Sequence, residues 1–508
     1  MLWSTWLIAN VCMWMNDVAA AWMMTTLNNS PIWVALVQSA STLPVFLLGL
    51  PSGALADILD RRRWLMATQF WLAGTAIVLC GAIALDLMTA PLLLALTFAN
   101  GIGLAMRWPV FSAIVPELVP RAQLPSALGL NGIAMNASRI IGPLLAGVLI
   151  AGAGSVWVFA LNAVLSVISG FVVVRWRREH TPSPLGRERL VSAMRVGVQF
   201  VWQSQRMRAV LLRVAIFFLH STALLALLPL LARGLKGGDA GTFTLLLAAM
   251  GSGAIVAVLL LPRLRQAMGR DALVLRGAIL QAAATAVMSV APNAWVAVPA
   301  MFMGGMAWIT TANSLSVSAQ LSLPNWVRAR GMATYQMAIM GASAFGAALW
   351  GQVATVSSLR TSLLAASVSG VLLMLLALRY VNDPQDEDDV SPAHEGWAAS
   401  PPSIKPGEEG RVLVTIEYHI DPARADAFKQ VMEETRRVRL SQGAIEWALL
   451  HHVGEPSRYV EQIVDESWTE HLRRFGRATA ADITLRERRL AFHVGEGGPQ
   501  VNRYIVQR

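Results

Sequence analysis

Long apolar stretches fill the first 381 positions of the chain, with short polar segments between them. An α-helix needs roughly 20 apolar residues to cross the hydrocarbon core of a bilayer. The pattern therefore predicts twelve transmembrane helices, at residues 2–24, 32–56, 64–85, 91–113, 126–152, 155–174, 209–232, 242–262, 272–291, 294–316, 331–353 and 359–381. A chain of this kind is an all-α polytopic membrane protein.

The twelve spans divide into two groups of six around a long polar segment. We predict an N-terminal six-helix half at residues 1–175, a central cytoplasmic loop with a surface helix at 176–208 and a C-terminal six-helix half at 209–381. Residues 118–147 and 321–351 share a Pro-containing loop, an arginine and a glycine-spaced helix, which indicates an internal repeat. Two repeats of six helices are typical of carriers that rock around a central cavity.

The pattern changes after Val381. Residues 382–410 are rich in Asp, Glu, Pro and Gly, too polar to pack a core, and we predict an acidic linker there. From residue 411 the apolar positions alternate as in strands and then recur as in helices, in the order βαββαβ, with a single helix from about Thr469 before the last strand. Residues 411–508 therefore form a small α+β domain of the ferredoxin-like kind, on the cytoplasmic side.

Charge supports this picture and sets the orientation. Only 14% of the residues are Asp, Glu, Lys or Arg, against about 25% in soluble proteins. The arginines of the membrane part lie mainly in alternate loops, so the positive-inside rule predicts that both termini are cytoplasmic. The same placement explains the net charge of +10 without a nucleic-acid partner. Cys12 and Cys80 fall inside apolar stretches, so we expect neither a metal site nor a cofactor.

The most specific motif lies after the second predicted span, at Gly53, Asp57, Asp60, Arg61, Arg62 and Arg63. It resembles the G-x-L-x-D-R-x-G-R-R signature of the major facilitator superfamily, with Ile58 at a usually basic position and Asp60 at a usual glycine. Asp60, the PELVP segment at 116–120 and the tail resemble the exporter branch that contains the enterobactin exporter and transmembrane secretion effector proteins. The resemblance implies the major facilitator fold and a bacterial inner-membrane location.

The signature motif suggests a gate. Asp57 would lie near the start of span eleven if the halves pack as the family implies, and a carboxylate at a helix N-terminus is stabilised by roughly 0.3–1 kcal/mol. Arg61 and Arg62 would pair with Asp57 or Asp60 and with lipid phosphate, while Gly53 permits close helix approach. The alternative is that the arginines only fix the topology.

A second motif lies in span five, where Gly142, Pro143 and Gly147 follow Arg139. It is similar to the antiporter motif of the same superfamily, in which glycine and proline bend the helix and let it pack tightly. The resemblance favours export over uptake.

Charges inside a membrane span are costly, so they usually face a cavity or a partner. Asp17 lies deep in span one beside Asn16, and we expect it to bind protons or substrate. Arg139 and Arg107 are its candidate partners. His220 in span seven is a third candidate, since histidine titrates near neutral pH. The alternatives are a fixed ion pair for Asp17, snorkelling for Arg107 and a hydrogen-bonded core position for His220. Six methionine and tryptophan side chains would either line a hydrophobic pocket or pack between helices: Met13, Trp14, Met15, Trp22, Met306 and Trp308.

The leading functional hypothesis is a secondary active transporter that expels a drug, siderophore or secondary metabolite against proton entry. The chain has no GxxxxGK[ST] loop, which argues against ATP as the energy source. An uptake carrier or facilitator of the same fold is the first alternative. The tail also resembles antibiotic-biosynthesis monooxygenase-like domains, which implies a homodimer through residues 411–508. A substrate-binding or modifying role for the tail is the second alternative, through His451, His452, Tyr459 and Trp468.

Overall fold

The structure is a computed structural model that describes residues 2–58, 60–118, 124–175, 190–324, 326–380 and 410–506. The chain forms two compact units. The transmembrane unit comprises Met1–Arg187, Leu211–Ser318 and Tyr335–Val381. The C-terminal unit comprises Glu188–Val210, Ala319–Thr334 and Asn382–Arg508.

Thirteen helices are described in the first 380 residues: α1 (Leu2–Leu27), α2 (Pro31–Ile58), α3 (Arg61–Ala84), α4 (Ala90–Leu118), α5 (Leu124–Ala153), α6 (Ser155–Arg175), α7 (Leu190–Gln203), α8 (Gln205–Gly234), α9 (Ala240–Ala267), α10 (Arg270–Val290), α11 (Ala294–Leu321), α12 (Arg328–Val356) and α13 (Leu359–Tyr380). Each predicted span coincides with one of them, and α7 lies in the predicted central loop, where a surface helix was expected. Among the described residues, eleven helices are long and apolar enough to cross a membrane, and α5 contributes a shorter apolar stretch at Ala137–Ala153. The predicted all-α polytopic fold is confirmed.

Close helix packing in the transmembrane unit depends on glycine at two reciprocal positions. A Cβ atom on Gly253 of α9 would overlap the carbonyl oxygen of Phe302 in α11, and one on Gly305 of α11 would overlap that of Met250 in α9. Small residues let backbones approach closely where lipid supplies no hydrophobic drive between helices. The two helices therefore meet backbone to backbone at two points.

Six helices precede α7 and six follow it, and the two groups meet where α1 and α8 end. There the guanidinium of Arg233 donates to the carbonyl of Thr25 at 3.1 Å and lies 4.8 Å from the ring centroid of Trp22. Trp22 in turn stacks on Phe243 of α9 at 5.0 Å. This cluster of Thr25, Trp22, Arg233 and Phe243, here called the end contact, joins α1 to α8 and α9.

The tail forms β1 (Val412–His419), α14 (Ala425–Ser441), β2 (Glu446–His451), β3 (Arg458–Asp465), α15 (Trp468–Phe475), α16 (Ala480–Leu490) and β4 (Gln500–Ile505). Its antiparallel sheet has the order β2-β3-β1-β4, with Val412 opposite both Asp465 and Ile505. Alternate residues of β1 are buried, and Tyr418 packs its ring 5.4 Å from Phe428 of α14. This is the predicted ferredoxin-like domain. The single helix predicted before the last strand was wrong, because the chain forms two.

The inner face of the sheet also buries charge. Glu461 is fully buried and accepts hydrogen bonds from Arg439 Nε at 3.0 Å, Tyr418 Oη at 3.0 Å and Trp447 Nε1 at 3.1 Å. A guanidinium nitrogen of Arg489 lies 3.7 Å from its carboxylate. One carboxylate therefore serves two buried cations.

Within the C-terminal unit, α7 packs on the domain formed by the tail. Arg195 forms a salt bridge of 2.7 Å with Glu466, and Gln199 donates through Nε2 to the carbonyl of Ala444 at 2.8 Å. Phe200 meets Trp326 edge to face at 5.6 Å. The helix in the segment predicted as the central loop is therefore a packed part of this unit.

Candidate functional site

A cavity of about 210 Å³ lies between the two helix groups of the transmembrane unit. Most of its lining is apolar, and four aromatic side chains contribute: Trp14, Phe218, Phe243 and Trp308. Polar groups come from both sides: Asp17, Gln38, Ser41, Thr42, Arg139, Thr222, Gln336 and Ser343. Ligand pockets typically hold about 300–1,000 Å³, so a larger cargo requires the two groups to separate further.

Asp17 is the acidic residue that lines this cavity. Its Oδ1 accepts a hydrogen bond from the hydroxyl of Ser41 on α2, at 2.8 Å. The alternative of a fixed ion pair is not observed: in the described part of the chain, neither Arg139 nor Arg107 makes a salt bridge with Asp17. The carboxylate is therefore available to a proton or to a ligand.

Arg139 also lines the cavity, on α5. The carbon at the centre of its guanidinium lies 5.7 Å from the ring centroid of Trp14 on α1 and 5.2 Å from that of Trp308 on α11. Its Nε is buried and has no hydrogen-bond partner among the described residues. Two indoles, one from each helix group, thus bracket a cation inside the cavity.

Asn16 and Arg107 do not line the cavity. Asn16 is buried and accepts a hydrogen bond from the amide of Asn162 on α6, at 3.3 Å. Arg107 is buried with its guanidinium 5.2 Å from the ring centroid of Trp6. Asn16 thus contacts α6, and the guanidinium of Arg107 lies over an indole outside the cavity lining.

Replacing Asn16 with alanine is therefore expected to leave transport intact. Hydrogen bonds between transmembrane helices contribute about 0.6 kcal/mol on average, so the loss of the bond to Asn162 should cost little stability. Thermal unfolding of the purified variant, together with its transport rate, checks this. Loss of transport in a variant of unchanged stability would instead show that Asn16 has a role in transport.

His220 lies beside a second, small cavity of about 20 Å³. Its Nδ1 is 2.6 Å from the carbonyl oxygen of Ile216, one turn earlier in α8, so this nitrogen is the donor. Its ring lies 5.6 Å from that of Trp350. The structure separates His220 from Asp17 and Arg139.

The span-five motif lies at two helix contacts. A Cβ atom on Gly142 would come 2.5 Å from the Cβ of Trp14, and one on Gly147 would come 2.7 Å from the side chain of Thr244 on α9. Pro143 lines the cavity between them. The two glycines thus let α5 pack closely against α1 and against α9 of the second helix group.

The signature motif is described only in part. Gly53 and Asp57 fall in the last turns of α2 and Arg61 begins α3, but their side chains lie outside the described residues. Asp60 caps the N-terminus of α3, where its carboxylate accepts a hydrogen bond from the backbone N–H of Arg63 at 2.8 Å. Arg62 donates to the carbonyl of Val174 on α6. Aspartate is a preferred N-cap residue, which accounts for its presence at this position.

Ser41 and its polar neighbours in the cavity were not among the predicted site residues. Ser41 and Thr42 follow Gln38 by three and four residues in a mostly apolar helix, which places them on one face. That spacing was the available signal.

The tail residues considered for ligand binding do not form one cluster. The ring of His451 stacks on that of Tyr459 at 4.3 Å, whereas the ring of Trp468 lies 5.2 Å from that of His471. A separate cavity of about 780 Å³ in the C-terminal unit is lined by neither pair. Its charged lining consists of Arg206, Glu434, Arg437, Arg477, Asp482 and Arg488.

Curated relatives of the chain are transporters. It is 22% identical over 258 residues to a staphyloferrin A transporter from Staphylococcus aureus, covering 50% of this chain and 64% of that protein. It is 28% identical over 206 residues to the multidrug efflux pump Tap of Mycobacterium tuberculosis, covering 38% of this chain and 48% of that protein. Macrolide efflux protein A of Streptococcus pyogenes is 24% identical, with 48% and 61% covered. The chain thus spans less than two thirds of the length of these relatives.

Solved structures of transporters share the fold. A POT family transporter in complex with 5-aminolevulinic acid superimposes with a TM-score of 0.59 at 12% identity, covering 74% of this chain and 96% of that one. A bacterial homologue of the lysosomal transporter Spinster gives 0.58 at 13%, covering 74% and 95%. The family model described as "Transmembrane secretion effector" matches residues 1–508. The chain therefore belongs to the transmembrane secretion effector family of major facilitator transporters.

Proposed function

We propose that this secondary transporter exports a small molecule, such as a drug, siderophore or secondary metabolite, across the bacterial inner membrane in exchange for protons. The observation that carries the proposal is the cavity between the two helix groups, which has aromatic walls and one carboxylate, Asp17. Relatives named as a staphyloferrin A transporter and as multidrug and macrolide efflux proteins support a cargo from these classes.

In this proposal the two helix groups rock about the cavity. The end contact made by Thr25, Trp22, Arg233 and Phe243 closes one side. Release of the cargo on that side requires the contact to break. The signature motif from Gly53 to Arg62 would hold the opposite side in the alternate state, with Asp57 as its latch.

Proton coupling is assigned to Asp17. A carboxylate that accepts one hydrogen bond from a serine can carry a proton through the transport cycle without breaking an ion pair. Protonation when the cavity faces one side, followed by deprotonation on the other, would couple cargo movement to the proton gradient.

Accumulation assays test the proposal. Cells that express the protein should retain less of a labelled siderophore, macrolide or other drug than cells that lack it, and a protonophore should remove the difference. Higher accumulation in expressing cells would instead favour the uptake carrier. Unchanged accumulation across the whole panel would contradict transport of these classes.

A further inference from the structure

We propose that Arg139, held between Trp14 and Trp308, is an anion-binding site and that the cargo carries a carboxylate or a similar oxyanion. This inference rests on the proposed function, because it takes the central cavity as the place where cargo binds. It goes further by naming a chemical group that the cargo must present.

The charges around Arg139 favour an anionic ligand. Arg139 lines the cavity, its Nε is buried, and the described residues give that nitrogen no hydrogen-bond partner. Asp17, the acidic residue of the lining, makes no salt bridge with it and accepts a hydrogen bond from Ser41 instead. A cation inside a membrane span normally faces a partner, and a ligand anion would supply one here.

The chemistry of the guanidinium favours the same ligand. A guanidinium has a planar fork of N–H donors that matches the two oxygens of a carboxylate, and it also interacts favourably with aromatic rings. The indoles of Trp14 and Trp308 lie 5.7 and 5.2 Å from its central carbon. An indole ring has no lone-pair acceptor for the N–H groups, so these two contacts leave the hydrogen bond of the buried Nε to the cargo.

The two indoles beside Arg139 belong to different helix groups. Trp14 and Arg139 belong to α1 and α5, whereas Trp308 belongs to α11 of the second helix group. Rocking that separates the groups takes one indole away from the cation. The anion site is therefore assembled in one state of the carrier and incomplete in the other, which would make its affinity depend on the conformation.

The test uses dansylglycine and dansylglycinamide, which differ only in the carboxylate. Both probes accept energy from tryptophan, so binding to the purified full-length protein in detergent is read as sensitised dansyl emission. The wild type should bind dansylglycine about 10- to 100-fold more tightly than the amide, as expected for hydrogen bonds to a charged group. Arg139→Gln should remove this preference, and Arg139→Lys should restore part of it.

Arg107→Gln is the matched control. It removes a buried arginine of the same helix group that also lies over an indole, that of Trp6, but outside the cavity. It should keep the preference for dansylglycine. Size-exclusion elution like that of the wild type establishes that each variant is folded. If Arg139→Gln is not folded, Arg139→Lys takes its place and should show a reduced preference for dansylglycine.

Three results would overturn the inference: equal affinity of the wild type for both probes, a preference that survives in folded Arg139→Gln, or no saturable binding of either probe. These outcomes are separate from the fate of the proposed function. Unchanged accumulation of the drug panel in cells would reject export even if dansylglycine binds at Arg139. Export of neutral compounds with no carboxylate preference would reject the anion site alone.

Discussion

Replacing Asp17 with asparagine is expected to abolish transport against a concentration gradient while leaving downhill movement of the cargo. The amide has the size of the carboxylic acid and can still accept a hydrogen bond from Ser41, but it cannot take up and release a proton. The measurement is movement of a labelled cargo in proteoliposomes under an imposed pH gradient. In the variant, cargo should reach equal concentrations on the two sides and go no further.

Two controls sharpen this result. Asn16→Ala changes the adjacent residue, whose side chain meets Asn162 and not the cavity, so it should concentrate cargo like the wild type. Asp17→Glu keeps a carboxylate and should retain part of the coupling. Concentrative transport by Asp17→Asn at the wild-type level would remove this residue from the proton path.

Replacing Glu461 with glutamine is expected to destabilise strongly the domain formed by the tail. The change leaves the guanidinium groups of Arg439 and Arg489 buried without their carboxylate. Breaking a buried pair by removing one partner costs roughly 3–5 kcal/mol. Whole domains are stable by only about 5–15 kcal/mol, so this loss is a large share. Hydrogen exchange of the β1 and β3 amides in the full-length protein should show the loss of protection.

The same carboxylate predicts a dependence on pH. Burial alone would raise the pKa of Glu461, but Arg439 and Arg489 outweigh it and hold the pKa at about 2, below its ordinary value of 4.5. The folded state therefore binds this proton less readily than the unfolded state. Its contribution to stability is complete above pH 4.5 and is lost as the pH falls towards 2. Protection, corrected for intrinsic exchange rates, should decline over that interval.

Glu434→Gln is the control for Glu461→Gln. Glu434 pairs with Arg488 at 2.9 Å, but both side chains are about half exposed. Exposed pairs contribute about 0–1 kcal/mol, so this variant should keep wild-type protection. Equal protection in the Glu461 and Glu434 variants would contradict the role given to the buried carboxylate.

The helices were predictable because the requirement for apolar residues is strict in lipid. Their ends were less so. The fourth span was predicted to end at residue 113 and the seventh to begin at 209, whereas α4 continues to Leu118 and α8 begins at Gln205. Hydropathy identifies the part of a helix that lipid surrounds, and it carries no signal for turns that continue beyond it.

The extra helix of the tail has a local cause that the sequence contains. Thr479 and Asp482 form a capping box, in which each side chain accepts a hydrogen bond from the other residue's backbone N–H. Such a box starts a new helix, so α16 begins where one continuous helix was predicted. Gly476, at the end of α15, marks the break.

The charged residues of the site could be predicted from the sequence, but the groups that they contact could not. Asp17 and Arg139 stand out because ionised groups are rare in membrane spans, and both line the cavity. The absence of a salt bridge between Asp17 and Arg139 could not be predicted from the sequence, since it depends on how α1 and α5 pack. Asn16 shows the finer limit. Successive residues of a helix point about 100° apart, so the neighbour of a cavity residue can face another helix.

The reciprocal glycines of α9 and α11 have a practical consequence for measuring motion. Since each helix seats a glycine against a carbonyl of the other at Gly253 and Gly305, we expect α9 and α11 to move together. Spectroscopic labels on these two helices should keep one fixed separation throughout the transport cycle. The distance between labels on α9 and α11 can thus serve as an internal reference. Changes in the distance from these helices to labels on α1 or α5 would then report the rocking itself.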